Sequence, residues 1–223
     1  MGNGFKLIIF DLDGTLVETG AEIANSVNDT LAHYALPPVS QQQVNGWIGY
    51  GTLELLVQAM AFVTQVPLDT ARAREDLAQV KEEFDRNYAR HCATISTLFP
   101  EVHAVLDKLR EGGTIRAMVT NKDMRFTNAL LEKHDLNGRL EYVLSGDCVA
   151  AKKPDPIGIL DCLKFFQLKR KHALYVGDSS IDVAAARAAG IKVWLLPYGY
   201  NMNQPIEISA PDRIITTIAA LLD

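Results

Sequence analysis

Short apolar runs alternate with amphipathic stretches along most of the chain. Residues 5–10 form an almost continuous apolar run, which is typical of a strand buried on both faces of a sheet. Comparable runs occur at residues 115–119, 142–144, 173–176 and 193–196. Apolar residues at helical spacing lie between them, as at residues 102–109 and 181–189. This alternation predicts an α/β fold, with a Rossmann-like parallel sheet covered by helices on both faces.

One region departs from the alternation and shows helical patterns alone. Residues 21–34, 52–64 and 68–91 each read as a helix, and no good strand pattern lies between them. A helical insert of about seventy residues is large enough for a small domain. We therefore expect a helical cap domain at residues 19–92 and an α/β core formed by residues 1–18 and 93–223.

The composition of the chain limits the kinds of molecule that we expect it to bind. The chain has 223 residues and a net charge of −5, so neither nucleic acid nor an anionic membrane is an expected partner. No apolar stretch is long enough to cross a bilayer, and no signal-peptide pattern precedes the first strand. The three cysteines fit neither a disulfide framework nor a zinc motif. We expect a cytoplasmic protein that is a monomer or a homodimer.

Polar residues lie at or just after the ends of four predicted strands. They are Asp11 and Asp13, Thr120 and Asn121, Lys152 and Lys153, and Asp178 and Asp182. In an open parallel sheet, ligands bind outside the carboxyl ends of the strands, so these segments should converge on one crevice. Each segment alone could be only a turn, a surface loop or a helix cap, and the prediction rests on their convergence.

The residue types in this crevice suit phosphoryl transfer. Four neighbouring carboxylates would repel one another, and a divalent cation such as Mg²⁺, which prefers oxygen ligands, would relieve the repulsion. A lysine, the hydroxyl of Thr120 and the backbone N–H groups of the turn at residues 13–15 suit the oxygens of a phosphoryl group in transfer. Nothing in the set suits a redox cofactor.

These segments resemble the four motifs of the haloacid dehalogenase superfamily. Asp11-Leu12-Asp13-Gly14-Thr15 resembles the first motif, Thr120 the second, Lys153 the third and residues 177–182 the fourth. The helical insert resembles the type-1 cap of the superfamily. The chain looks most like the bacterial phosphoglycolate phosphatases, through residues 47–51, 120–122, 152–156, 198–201 and 204–206. It departs from many relatives at Glu18-Thr19, near the cap hinge, where they carry Asp-Ser.

The resemblance implies a phosphoric monoester hydrolase with a covalent intermediate. It implies that Asp11 attacks phosphorus and becomes an aspartyl phosphate, which is nucleophilic catalysis by a carboxylate. Asp13 would protonate the leaving oxygen and later deprotonate the attacking water. The cofactor would be Mg²⁺, held by Asp11, the backbone carbonyl of Asp13 and Asp178, with Asp182 in support.

The resemblance also implies which residues hold the phosphate. Thr120 and Lys153 would contact the phosphoryl oxygens as catalytic residues, with Asn121 beside them in the phosphate site. The motif lysine normally stands directly before the proline, which indicates Lys153, but the adjacent Lys152 is an alternative.

The cap would select the substrate, since the core would bind only the phosphate. The loop of Gly49, Tyr50 and Gly51 precedes a predicted helix, whose N-terminal N–H groups could bind a carboxylate. This favours 2-phosphoglycolate as the small phosphorylated metabolite, although the loop could be an ordinary turn. Another sugar or amino-sugar phosphate is an alternative substrate. A phospho-aspartate receiver or a silent binding module is an alternative from a different class.

Overall fold

The structure, a computed structural model, describes residues 4–223. Its strands are β1 (Leu7–Phe10), β2 (Val17–Glu18), β3 (Thr97–Leu98), β4 (Ile115–Val119), β5 (Tyr142–Leu144), β6 (Ala173–Gly177), β7 (Lys192–Leu195) and β8 (Arg213–Ile214). Six of them form a sheet in the order β5-β4-β1-β6-β7-β8, and all of its pairings are parallel. The predicted Rossmann-like parallel sheet is confirmed.

Helices cover both faces of this sheet and form the insert. They are α1 (Gly20–His33), α2 (Gln41–Asn45), α3 (Thr52–Thr64), α4 (Leu68–Arg72), α5 (Leu77–His91), α6 (Val102–Glu111), α7 (Met124–Lys133), α8 (Ile157–Phe165) and α9 (Ser180–Ala189). Short 3₁₀ turns occur at Arg170–His172, Ile206–Ser209 and Ile218–Leu222. Within residues 4–223, no helix has both the length and the apolar character that a membrane crossing requires.

Strand β1 is central in the sheet, and its side chains are fully buried. Because successive side chains point to opposite faces, Ile8 and Phe10 pack into one apolar cluster with residues of α6 and α7. Leu7 and Ile9 pack into a second cluster, with residues of α8 and α9. The continuous apolar run of the sequence therefore corresponds to a strand that is covered on both sides.

Helices α1 to α5 form the insert, which we call the cap. The chain enters the cap through β2 and leaves it through β3, and these two strands pair antiparallel. The cap has its own apolar cluster, in which Val27, Leu56 and Phe84 are almost completely buried. The predicted all-helical insert is confirmed, and the two chain crossings form a narrow two-stranded hinge.

The helix predicted at residues 68–91 is wrong in one respect, since the structure has two helices there. Helix α4 ends at Arg72 and α5 begins at Leu77. Arg72 donates to Glu54 on α3 at 2.7 and 2.9 Å, so α4 is held against α3. Helix α5 packs mainly along α1 and to a smaller extent against α3. The short helix α2 was also not expected.

Candidate active site

The site lies at the carboxyl edge of the parallel sheet. Phe10, the last residue of β1, pairs with both Met118 and Val176, so the ends of three neighbouring strands are aligned. Asp11 follows directly, and its backbone N–H donates to the carbonyl of Val176 at 3.0 Å. Register alone therefore brings the polar residues after β1, β4 and β6 to the same edge, as the sequence predicted.

Three aspartates form an acidic cluster at this edge. Asp11, Asp178 and Asp182 each present a carboxylate oxygen, and these oxygens lie within 4.8 Å of one another. Burial raises the pKa of Asp11 to about 6, although Lys153 acts in the opposite direction. Burial and the charges of Asp182 and Asp11 raise the pKa of Asp178 well above its ordinary value. A cluster of hard oxygen donors with mutual repulsion can hold a divalent metal ion.

Asp182 has less freedom than the other two carboxylates. Its Oδ2 accepts from the N–H groups of Asp178 and Ser179, both at 3.1 Å, and from the Ser179 hydroxyl at 2.9 Å. Its Oδ1 accepts from Lys153 Nζ at 2.8 Å. These contacts form the capping box of α9 and fix the loop that carries Asp178. Because both oxygens of Asp182 already accept hydrogen bonds, this side chain is better suited to position Asp178 than to be a main ligand of a metal ion.

Lys153 places its ammonium group inside the site, whereas Lys152 does not. Lys153 Nζ lies 2.9 Å from Asp11 Oδ1 and 2.9 Å from the Tyr175 hydroxyl. Burial alone would lower the pKa of this ammonium, but Asp11 and Asp182 raise it above its usual value, so Lys153 stays charged. Lys152 instead donates to Asp123 at 3.2 Å and is more exposed. The geometry favours Lys153 as the motif lysine.

Asp13 faces away from the acidic cluster, toward the cap. One of its carboxylate oxygens accepts from the Thr19 hydroxyl at 2.6 Å. Lys122 Nζ donates to both oxygens, at 2.9 and 3.1 Å. The carboxylate of Asp13 is thus separate from those that could bind metal, and it lies where the core meets the cap.

Thr120 and Asn121 follow β4 and are both buried. The Thr120 hydroxyl accepts from the backbone N–H of Lys122 at 3.3 Å, which leaves its own proton to donate. The Asn121 amide donates to the carbonyls of Gly49 and Lys153, each at 2.9 Å, and accepts from the Lys153 N–H at 2.8 Å. The Asn121 side chain therefore ties the lysine loop to the cap loop.

A small cavity of about 60 Å³ lies between the site and the cap. Asp11, Asp13 and Thr120 line it from the core, and Gly49 and Gly51 line it from the cap. The cap also contributes apolar side chains, namely Ile23, Ile48, Leu55, Phe84 and Tyr88. The predicted specificity loop therefore meets the cavity through its two glycines. Tyr50, its third residue, is absent from the lining and is 46% exposed.

The hinge residues Glu18 and Thr19 have definite partners. The Glu18 carboxylate accepts from the Tyr200 hydroxyl at 2.6 Å, and that hydroxyl accepts from the N–H groups of Thr19 and Gly20 at 3.0 and 2.7 Å. The backbone N–H of Tyr200 donates to Asp178 at 2.5 Å. One residue of the loop after β7 therefore connects the hinge with the acidic cluster.

Sequence reasoning assigned no role to Lys122 or Tyr200. Both residues occur in stretches that carried the family resemblance, but their partners are remote along the chain. Lys122 is 109 residues from Asp13, and Tyr200 is 182 residues from Glu18. No local pattern reports such pairs.

The fold and the site together define a hydrolase of the haloacid dehalogenase type. The sequence profile of the haloacid dehalogenase-like hydrolases matches residues 8–196, and the chain belongs to this family. The predicted resemblance to bacterial phosphoglycolate phosphatases is confirmed by two such relatives. The chain is 38% identical over 222 residues to a phosphoglycolate phosphatase of Mannheimia succiniciproducens, covering 100% of this chain and 99% of that protein. It is 36% identical over 222 residues to a phosphoglycolate phosphatase of Haemophilus influenzae, with the same coverage.

Solved structures agree with this assignment. The crystal structure of a predicted phosphoglycolate phosphatase from Haemophilus somnus superposes with a TM-score of 0.91 at 35% identity. The match covers 98% of this chain and 97% of that one. A putative phosphoglycolate phosphatase from Lactobacillus delbrueckii has a TM-score of 0.89 at 22% identity, covering 100% and 99% of the two chains, which shows the shared fold alone.

Proposed function

We propose that this protein hydrolyses a small phosphomonoester, 2-phosphoglycolate, through an aspartyl phosphate on Asp11, with Mg²⁺ as its cofactor. The observation that carries the proposal is the position of Asp11. It lies in the acidic cluster, contacts the Lys153 ammonium at 2.9 Å and lines a small cavity that the cap covers. A nucleophile, a cation and a shielded space for the substrate therefore occur together.

The acidic cluster fits Mg²⁺ better than a softer metal. Its donors are carboxylate oxygens, and burial raises the pKa values of Asp11 and Asp178, so two neighbouring carboxylate charges are disfavoured there unless a cation is bound. Asp11, Asp178 and the backbone carbonyl of Asp13 would hold the ion, and Asp182 would orient Asp178. When bound, Mg²⁺ would neutralise part of the charge that accumulates on a transferring phosphoryl group.

In this proposal, each residue of the site has its own role in the reaction. Asp11 attacks phosphorus as a carboxylate nucleophile. Asp13, on the cap side of the site, gives a proton to the leaving oxygen and later takes one from the water that hydrolyses the intermediate. Lys153 and the Thr120 hydroxyl stabilise charge on the phosphoryl oxygens, and Asn121 holds the lysine loop in place.

The size and lining of the cavity favour a short acid as the organic part of the substrate. A cavity of about 60 Å³ is small, equal to the liquid volume of about two water molecules. Its cap wall is mostly apolar and includes Ile23, Leu55 and Phe84, which offer no partners for the hydroxyl groups of a sugar. Only Thr52 and Tyr88 bring hydroxyl groups to this wall among the described residues. The N-terminus of α3 begins beside Gly51 without a side-chain cap, so its N–H groups suit an anion. The named relatives are consistent with this choice.

The proposed function is tested by phosphate release from a panel of phosphorylated metabolites. The panel contains 2-phosphoglycolate, sugar phosphates and amino-sugar phosphates, each assayed with Mg²⁺ and with a chelator. We expect release that depends on Mg²⁺ and is fastest from 2-phosphoglycolate. Preference for a sugar phosphate would refute the proposed substrate and keep the reaction class. Release from none of the compounds would favour a receiver or a silent binding module. A cytoplasmic location and a monomeric or homodimeric state stay predictions.

A further inference from the structure

The cavity contains one basic side chain. Of the residues that line it within the described part of the chain, Lys122 is the one lysine or arginine. The residue is only 8% exposed, so its charge lies in a largely desolvated place. Its Nζ lies 4.7 Å from the centre of the Tyr88 ring on α5, a distance at which a ring face attracts a cation. Lys122 therefore belongs to the core but contacts the cap.

The chemistry of a two-carbon phospho acid fixes where a carboxylate-binding cation must lie. One methylene group separates the ester oxygen from the carboxylate in such a substrate. The acid that protonates the ester oxygen must be within hydrogen-bond reach of it, so the cation must be a close neighbour of that acid. Lys122 meets this condition, because its ammonium lies 2.9 and 3.1 Å from the oxygens of Asp13.

Other lysines near the site do not meet the condition. Lys153 contacts Asp11 and Asp182 on the phosphoryl side. Lys152 and Lys81 both lie against Asp123, at 3.2 and 3.7 Å, and neither lines the cavity.

We infer that Lys122 binds the substrate's carboxylate and so selects a short 2-phospho acid over phosphate esters of the same length that lack the carboxylate. This inference rests on the proposed function. An ammonium has three N–H donors, so Lys122 can keep its contact with Asp13 while it donates to the substrate. The neighbouring apolar side chains of Leu55 and Phe84 exclude water and strengthen this charge-assisted hydrogen bond.

The test compares two esters that differ only at the carboxylate. They are 2-phosphoglycolate and 2-hydroxyethyl phosphate, and the readout is the ratio of their kcat/KM values. Loss of the ammonium also disturbs Asp13, but that effect is common to both esters and cancels in the ratio. In Lys122→Met we expect the preference for 2-phosphoglycolate to fall roughly ten- to hundred-fold, the range for a lost hydrogen bond to a charged group.

Two further variants keep the result interpretable. Lys122→Arg retains the charge, so we expect it to keep more of the preference than Lys122→Met does. Lys81→Met removes a partly exposed lysine on α5 outside the cavity, and we expect its ratio to stay within about two-fold of wild type, because exposed charges are strongly screened. Thermal unfolding confirms that each variant is folded, and Lys122→Gln replaces the methionine variant if that one is not.

The outcomes separate the inference from the proposed function. A wild-type preference that persists unchanged in Lys122→Met and Lys122→Gln would overturn the inference and leave the proposed substrate standing. A wild-type enzyme with no preference for the carboxylate ester would overturn both. A ratio that falls equally in Lys81→Met would also refute the specific role of Lys122, since the effect would then come from net charge.

Discussion

Individual residues in this site bind partners that come from distant parts of the chain. Tyr200 is the clearest example, because its hydroxyl serves the hinge while its backbone N–H serves Asp178. Thr19 and Gly20 are buried. The Thr19 N–H donates to that hydroxyl, whereas the Gly20 N–H donates both to it and to the Glu18 carboxylate, the latter at 3.1 Å. A buried donor without a partner costs about 1–3 kcal/mol. The Tyr200 hydroxyl should therefore matter more for stability than a typical surface hydrogen bond.

Tyr200→Phe should lower the free energy of unfolding by about 1–3 kcal/mol, because it removes the acceptor of the buried Thr19 N–H and the donor to the Glu18 carboxylate. Urea denaturation measures the change. Tyr198→Phe is the matched control, since its hydroxyl makes one bond of 3.2 Å to the Thr15 carbonyl and it lies two residues away. We expect the control to lose less than about 1 kcal/mol. Equal losses in the two variants would contradict the role given to Tyr200.

A two-stranded hinge and one buried carboxylate are among the contacts that join the cap to the core. Glu22 in the first turn of α1 is fully buried. Its oxygens accept from the N–H groups of Ala93, Ile95 and Ser96 at 3.0, 2.8 and 2.7 Å. These residues lead from the last cap helix into β3. Glu22 thus fastens the exit strand of the hinge to the first helix of the cap.

Glu22→Gln should destabilise the protein by about 1.5–3 kcal/mol. A glutamine amide has one oxygen acceptor instead of two, and its NH₂ group would face backbone N–H donors that now have no acceptor. The measurement is again urea denaturation. Glu82→Gln on the exposed face of α5 provides the control, with an expected change within about 0.5 kcal/mol. A glutamine variant at position 22 with wild-type stability would show that the three backbone contacts do not hold the hinge.

A helix or strand can be predicted from the sequence when its own residues form a recognisable hydrophobic pattern. The central strands are readable because burial on both faces leaves an apolar run, as at Leu7–Phe10. Strands β2, β3 and β8 have two residues each and carry no such pattern. The break between α4 and α5 is also hidden, because alanine and arginine at residues 71–74 are strong helix formers. Packing against α3 and α1 decides that break.

The whole molecule places a small covered cavity over the carboxyl edge of a parallel sheet. The motif residues could be predicted because the strand ends fix them, and parallel register brings them together. Lys122 and its contact with Tyr88 could not, since both depend on how the cap lies on the core. The family resemblance implied the chemical roles of the motif residues. The structure added the contacts of the charged side chains, such as Lys122 with Asp13 and Lys153 with Asp11. From this arrangement we propose covalent catalysis by Asp11, with Asp13 as the residue that carries the proton.

Mass spectrometry of the intact Asp13→Asn variant tests that claim most directly. Acetyl phosphate is a suitable substrate because acetate leaves without a proton, so Asp11 can be phosphorylated although Asp13 is missing. Hydrolysis of the intermediate still needs the missing base. With Mg²⁺ present, we predict that Asp13→Asn gains one phosphoryl group, mapped to Asp11, and that the double variant with Asp11→Asn gains none. Phosphorylation of another residue, or continued turnover by the double variant, would contradict the account.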